Sequence, residues 1–345
     1  MSAPEAEPLD PKERVERLRA AFDGAERGLV LAHDNPDPDA LASAFALCAV
    51  LRHLDDTRCE VGYAGMVGRA ENRAMIRELE LSPLRVTAKS LEAFDTIALV
   101  DTQPGFGNNS FPVGRHAAAV IDHHPGRGQL DNVTFVDVRE GYGATATIIY
   151  EYVQSSGVPL PENLLTALFY AIKSETQELG REAGYADQEA YLSLLPRADK
   201  QAVARIQRAS VPRTYFRAFQ IAIENARVHG RTVITDVERV SSPDMVAEIA
   251  DFLLRLEGAD WAVCIGRHQD SMVVSIRTTE EDAHAGEVIR HAVTGDSHAG
   301  GHGTMAGGRV PLEDRPYEEV ADELRHRLLD ELGGSDKPGE ALALT

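Results

Sequence analysis

The sequence predicts an α/β protein of two domains. The first is an N-terminal doubly wound, mainly parallel sheet with helices on both faces, and the second a smaller C-terminal α/β domain with a mixed sheet. Three observations lead there. Short β-rich runs alternate with helical stretches through the first half, the pattern of parallel strands joined by crossover helices. Polar clusters rich in aspartate and histidine close three of those runs, HDNPDPD at 33–39, VDT at 100–102 and DHH at 122–124, and ligands gather at the carboxyl ends of strands in such sheets. The length of 345 residues suits about two domains, and a hydrophobic content of 43% is ample for their cores.

The elements follow in order. GLVLA at 28–32 is a buried strand, and DALASAFALCAVLRHL at 39–54 a helix that Asp39 could cap. CEVGYAG, DTIALVDT and HAAAVIDHH supply further strands, with RAENRAMIRELE a helix between the first two. From Gly143 the pattern turns helical, through ATATIIYEYVQ and then PENLLTALFYAIKSETQELG, which ends on another polar cluster. The polar, basic stretch 196–215, with prolines at 196 and 212, reads as a partly helical linker centred on 201–215. Residues 1–200 are therefore assigned to the first domain and 216–335 to the second, with residues 336–345 a disordered tail. In the second domain RTVITDVER, ADWAVCIGRHQDSMVVSIRT and HAGGHGTMAGGRV suggest the mixed sheet, and AGEVIRHAV and EEVADELRHRLLDEL its helices.

Composition excludes several roles. A net charge of −20 weighs against a long electropositive groove, so long duplex nucleic acid is not expected as a partner, although a few arginines or bound metal ions could still hold a small anion. No apolar stretch approaches a membrane span, and the polar start lacks a secretory core, so the cytoplasm is expected and no membrane partner. Cys48, Cys59 and Cys264 are far apart in sequence and read as buried free thiols.

Three carboxylates crowded into HDNPDPD repel one another unless cations, solvent or basic groups neutralise them. Pro36 and Pro38 stiffen the loop. A capping role would account for Asp39 but not for Asp37 or His33, and Asp101 alone would be a strand-ending turn residue. Asp122, His123 and His124 change that balance, because adjacent histidines at a strand mouth serve more often as ligands or phosphate contacts than as core residues. Mixed imidazole and carboxylate ligands suit Mn²⁺ or a similar divalent ion better than a structural zinc. Two such ions about 3.5–4 Å apart would clamp a phosphoryl group and activate a water.

HDNPDPD, VDT and DHHP, in this order, resemble the first three motifs of the DHH phosphoesterase superfamily, and GGHGTMAGG at 300–308 resembles the signature of the DHH-associated C-terminal domain. The resemblance covers about residues 25–315 and places the active site in the cleft between the domains. It implies two Mn²⁺ ions, with Mg²⁺ or Co²⁺ as substitutes. His33 and Asp37 would hold one ion, Asp39 and His123 the other, and Asp101 would bridge them. Asp122 would orient a histidine, and His124 would face the scissile phosphate. The fourth family motif supplies an Asp, where this chain has Glu175, one methylene longer; Glu175 either ligates the second ion or merely ends a helix. Gly300, Gly301 and Gly303 would form an anion nest, or only a structural turn. His302 and Arg277 resemble contacts to a distal phosphate or base, with Arg309 and Arg267 as helpers or solvated side chains.

The implied activity is a Mn²⁺-dependent phosphohydrolase of small nucleotides: an oligoribonuclease acting on short single-stranded RNA or DNA, a phosphodiesterase for linear dinucleotides such as pApA, or a phosphatase for 3'-phosphoadenosine 5'-phosphate. Cyclic dinucleotide hydrolysis is the near alternative, and a non-hydrolytic nucleotide sensor follows if Glu175 fails as a ligand. A structural or scaffold role is the remotest reading, because it leaves the carboxylate cluster uncompensated. Homodimers are compatible with the family.

Overall fold

The structure, a computed structural model, describes residues 10–55, 57–126, 128–280, 282–293, 298–333 and 339–343. They fall into two compact units, Met1–Ala209 and Ser210–Thr345.

The first unit contains α1 (Pro11–Ala20), β1 (Gly28–Leu31), α2 (Pro38–Asp55), β2 (Cys59–Tyr63), α3 (Ala70–Glu78), β3 (Leu84–Arg85), α4 (Ala88–Leu91), β4 (Thr96–Val100), β5 (Ala117–Asp122) and β6 (Val133–Val138). Four helices follow: α5 (Thr145–Ser156), α6 (Glu162–Glu175), α7 (Tyr185–Leu194) and α8 (Lys200–Gln207). The six strands form one parallel sheet in the order β3-β2-β1-β4-β5-β6. Its order reverses between β1 and β4, which is where a doubly wound sheet opens a crevice at its carboxyl edge.

Strand β1 is buried along its whole length, as an uninterrupted apolar run in a parallel sheet requires. Helix α2 is buried on nearly all sides and packs with α1, α3, α5, α6 and α8 in the main core. The other face is covered by the single turn α4 and by Phe111, which close over Leu29, Leu31, Ile97, Leu99 and Val120. Strand β6 and helices α1 and α7 are elements that the sequence analysis did not assign. In β6 alternate residues are exposed, so its apolar run is interrupted as an edge strand's is.

The stretch expected as a linker is largely structured. Ala202, Val203 and Ile206 of α8 belong to the first core, and the next helix begins at Arg213. Amphipathic patterning, masked by six charged or amide side chains in 197–207, explains the difference.

The second unit contains α9 (Arg213–Asn225), β7 (Arg227–His229), β8 (Thr232–Arg239), α10 (Asp244–Leu253), β9 (Trp261–His268), β10 (Ser271–Thr278), α11 (Ala285–Ala292), β11 (His298–His302), β12 (Met305–Pro311), α12 (Tyr317–Glu331) and β13 (Glu340–Ala341). The sheet order is β11-β12-β10-β9-β8-β7-β13, with β8 and β9 parallel and the other pairs antiparallel. Helices α11 and α12 pack on one face, α9 and α10 on the other. Glu340 and Ala341 pair with β7, so this part of the expected disordered tail is a short edge strand. All three cysteines are free and buried, and no helix among the described residues is long and apolar enough to cross a membrane.

Candidate metal centre

The loop after β1 assigns each polar residue its own task. Asp34 accepts hydrogen bonds from Ser110 Oγ at 3.2 and 3.1 Å. Asn35 adopts a left-handed φ of 58°, which asparagine tolerates better than most residues, and its Oδ1 accepts from Met66 N at 2.9 Å. Asp37 caps α2, accepting from Ala40 N at 3.0 Å, with Pro38 in the first helical position. Asp39 does not cap α2, as the sequence suggested it could. Its buried carboxylate accepts from Thr145 N at 2.8 Å and Ala146 N at 2.7 Å, capping the start of α5 instead.

Asp101 follows β4 with a φ of 59°, an uncommon conformation for a non-glycine residue that costs energy unless its surroundings enforce it. They do: its N–H donates to Ile121 O at 3.0 Å, and its Oδ1 accepts from Thr145 Oγ1 at 2.8 Å. The carboxylate is thereby fixed, 1% exposed, between two histidines. His33 Nε2 lies 3.5 Å from Asp101 Oδ2 and 3.7 Å from Asp37 Oδ2. His123 Nε2 lies 3.6 Å from Asp101 Oδ1 and 3.9 Å from Asp39 Oδ2. Ligand atoms of His33, Asp37 and Asp101 fall within 4.8 Å of one another, and so do those of Asp101, His123 and His124.

These residues fit divalent ions. Separations of 3.5–3.9 Å are too long for hydrogen bonds, yet ligands about 2.1 Å from one ion sit roughly 3–3.5 Å apart. The far side of each ring is already engaged: His33 Nδ1 is 2.9 Å from Asp34 O and His123 Nδ1 is 3.0 Å from Tyr142 O. A carbonyl partner requires the proton on Nδ1 and leaves Nε2 as the nitrogen that faces the carboxylates, the one a metal-ligating histidine uses.

The charges also ask for cations. Burial, then the neighbouring Asp101 and Glu175 charges, push the Asp39 carboxyl well above its ordinary range. Burial likewise raises Asp101, with His124 opposing it. Burial alone would lower His33, but the adjacent Asp37 and Asp101 outweigh it and hold the ring up to about 10. The protein without ions therefore retains protons where ions would sit.

His124 stands apart in role. Its Nδ1 donates to Asp122 Oδ1 at 2.8 Å, and Asp122, fully buried, also accepts from His123 N at 2.9 Å and Gln103 Nε2 at 2.9 Å. Burial would lower His124, but Asp122 and Asp101 raise it to about 9.

Glu175 ends α6. Its charge acts on Asp39, and Asp37 and Asp101 act on it after burial in raising its own pKa. Its Oε1, however, accepts from Arg181 Nη2 at 2.6 Å.

In the second unit Arg277 is buried on β10. Its Nε pairs with Asp251 of α10, and its Nη1 donates to Ser275 Oγ at 2.8 Å and Ile276 O at 2.9 Å. Gly301 is required by packing: a Cβ there would lie 2.3 Å from Met305 O. Gly303 has a φ of 45° in the turn between β11 and β12, whereas Gly300 is exposed and a Cβ there would meet open space. The side chain of His302 lies outside the described residues.

Sequence reasoning missed the supports. Thr145 serves Asp39 through its N–H and Asp101 through its hydroxyl. Gln103 holds Asp122. Tyr142, whose carbonyl fixes His123, is itself held by Glu151 at 2.7 Å and lies under the Arg139 guanidinium. Tyr142 and Thr145 lie in GYGAT at 141–145, just before α5, and Gln103 lies two residues past Asp101.

Comparison with known proteins follows the same two units. Residues 27–172 match the DHH family, N-terminal domain, and residues 230–333 the DHHA1 domain. The uncharacterized protein MJ1633 of Methanocaldococcus jannaschii is 31% identical over 315 residues, covering 88% of this chain and 64% of that protein. A probable manganese-dependent inorganic pyrophosphatase of Enterococcus faecalis is 25% identical over 152 residues, 43% of this chain and 47% of that one. The chain thus spans about half to two thirds of these relatives. Among solved structures, an exopolyphosphatase-related protein from Bacteroides fragilis superposes with a TM-score of 0.74 at 13% identity, covering 94% of this chain and 98% of that one. RecJ from Thermus thermophilus gives 0.50 at 13% identity, covering 94% of this chain and 54% of that one. Both share the fold.

Proposed function

The chain belongs to the DHH family, and from that premise we propose that it is a manganese-dependent phosphohydrolase of small nucleotides. Its substrates would be short oligoribonucleotides, linear dinucleotides such as pApA, or 3'-phosphoadenosine 5'-phosphate. One observation carries the reading: two histidines, each with Nδ1 against a backbone carbonyl, bring Nε2 to 3.5 and 3.6 Å from the two oxygens of a single buried aspartate. Bound there, divalent ions would supply Lewis acidity, water activation and neutralisation of phosphoryl charge. His33 and Asp37 would hold one ion, Asp39, His123 and Glu175 the other, with Asp101 between them. Asp122 fixes the His124 ring, which would donate a hydrogen bond or a proton to the leaving oxygen. Arg277, His302 and the backbone of Gly300, Gly301 and Gly303 would hold a distal phosphate or base.

Similarity to a probable manganese-dependent inorganic pyrophosphatase supports the choice of ion. Its match covers 43% of this chain, and the DHHA1 segment at 230–333 argues for a larger substrate than pyrophosphate. A nucleotide sensor without turnover is a second reading, favoured by the engagement of Glu175 with Arg181.

The test is a turnover panel on metal-stripped protein resupplied with Mn²⁺, using pApA, a four-nucleotide RNA, 3'-phosphoadenosine 5'-phosphate, cyclic di-AMP and pyrophosphate. Metal-dependent cleavage of one of the first three is expected. Cleavage of pyrophosphate or cyclic di-AMP alone would overturn the substrate class, and binding with silence throughout would establish the sensor.

A further inference from the structure

Glu175 stands in the fourth motif with one methylene more than the aspartate that motif carries, and the DHH match ends at residue 172, just before it. An extra methylene moves a carboxylate by about a C–C bond and adds a rotatable torsion, both of which weaken a ligand unless something fixes it. The chain supplies such a fixture. Arg181 Nη2 donates to Glu175 Oε1 at 2.6 Å and also to the Glu175 main-chain carbonyl. The same guanidinium nitrogen thus spans backbone and carboxylate of one residue, pulling the side chain back over its own helix end. Among the described residues Oε2 makes no hydrogen bond.

The intervening segment is built for this return. Gln177, Glu178 and Leu179 are three consecutive non-glycine residues in the left-handed region, with φ of 48°, 61° and 69°. Such runs are rare because each Cβ crowds its carbonyl, and they persist only where neighbours enforce them. Here Glu178 N donates to Lys173 O at 2.8 Å, Arg181 N to Thr176 O at 2.9 Å, and Leu179 N to Thr176 Oγ1 at 3.1 Å. The lysine and glutamate at 173 and 178 also form an ion pair. A plain helix stop needs one left-handed residue, usually glycine; three that turn an arginine back onto the last helical residue serve that contact.

We propose that Arg181 is a positioning residue that lets Glu175 take the aspartate's place in the site shared with Asp39 and His123. It holds Oε1 and leaves Oε2 to the ion. This rests on the two-ion reading above. The bland alternative is that Arg181 only satisfies a carbonyl at the end of α6, as basic residues there often do.

The test is Mn²⁺ titration of the full-length, metal-stripped chain, with free Mn²⁺ followed by electron paramagnetic resonance. The unaltered chain should take up two ions. Arg181→Gln should weaken one of them by about 10-fold or more, the size expected when a carboxylate ligand loses its outer partner, and leave the other unchanged. Circular dichroism and the metal-free melting temperature establish that the variant is folded, and Arg181→Lys provides a second, milder change. Arg181→Gln placed on Glu175→Asp should add no further loss, since the shorter side chain no longer depends on the arginine. Two ions bound with unaltered affinity by Arg181→Gln would overturn the proposal and leave a helix cap; tighter binding would make Arg181 a competitor of the ion. A single ion in the unaltered chain would overturn the two-ion reading and the proposal together.

Discussion

Replacing Asp101 by asparagine removes one negative charge from the centre of the cluster while keeping its shape. Asparagine tolerates the φ of 59°, and its Oδ1 can still accept from Thr145 Oγ1, now at 2.8 Å. The metal-free variant should therefore stay close to the unaltered chain in stability, because burial and Asp37 disfavour the charge that is removed while His124, His123 and His33 favour it. The ion-bound state should behave oppositely. At an Mn²⁺ concentration of about 100 times Kd, one site stabilises the fold by about 2.7 kcal/mol; a 100-fold loss of affinity leaves about 0.4 kcal/mol. The difference, about 2.3 kcal/mol, corresponds to roughly 5–9 °C in Tm for a domain of this size. Asp101 touches both histidine clusters, so both sites should suffer. Hydrolysis should fall at least 10²–10³-fold, a loss of about 3–4 kcal/mol in the barrier. Differential scanning fluorimetry with and without Mn²⁺, beside a turnover assay, reads all three quantities. An Asp101→Asn chain that keeps its Mn²⁺-induced shift, or near-normal turnover, would refute the shared role of Asp101.

The remaining predictions concern protons and the second unit. His33 and His124 are held up to about 10 and about 9. A histidine raised above its unfolded value contributes stability that is complete below about 6.5 and lost as pH climbs through the folded value. The metal-free chain should thus weaken between about pH 7 and 10, and Mn²⁺ uptake at neutral pH should release protons, measurable as a buffer-dependent heat in calorimetry. Equal heats in buffers of different ionisation enthalpy would contradict this. Arg277→Ala should raise KM for substrates with a distal phosphate while kcat changes little, and should also lower Tm because the arginine's hydrogen bonds to Asp251 and Ser275 are lost. A fall in Tm with KM unchanged would make Arg277 purely structural.

The strand ends were legible because parallel strands advertise themselves as apolar runs and the polar residues that close them follow at once in the chain. His33, Asp37, Asp101 and His123 needed only that rule. What stayed hidden depends on meetings across the chain. Asp39 reaches α5, more than a hundred residues on, and nothing local distinguishes that from capping its own helix. The left-handed φ of Asp101 was equally unreadable, because it follows from a hydrogen bond to β5 rather than from a glycine. Arg181, one residue beyond the polar helix end, drew no reading, since its contact depends on a backbone course that Gln177, Glu178 and Leu179 do not favour by themselves. Strand β6 escaped because its exposed alternate positions broke the apolar run.

Asp39 also bears on how relatives of this chain should be sorted. Its carboxylate occupies the first N–H groups of α5, so a relative that keeps this core has a structural use for an acceptor there, whatever its activity. Asp37 has only a local helix cap beside its place in the cluster, and that cap can be served by serine, threonine or asparagine. An aspartate at 39 is therefore a mark of ancestry. An aspartate at 37, which the cap alone does not require, would be the better mark of a relative that keeps the proposed centre.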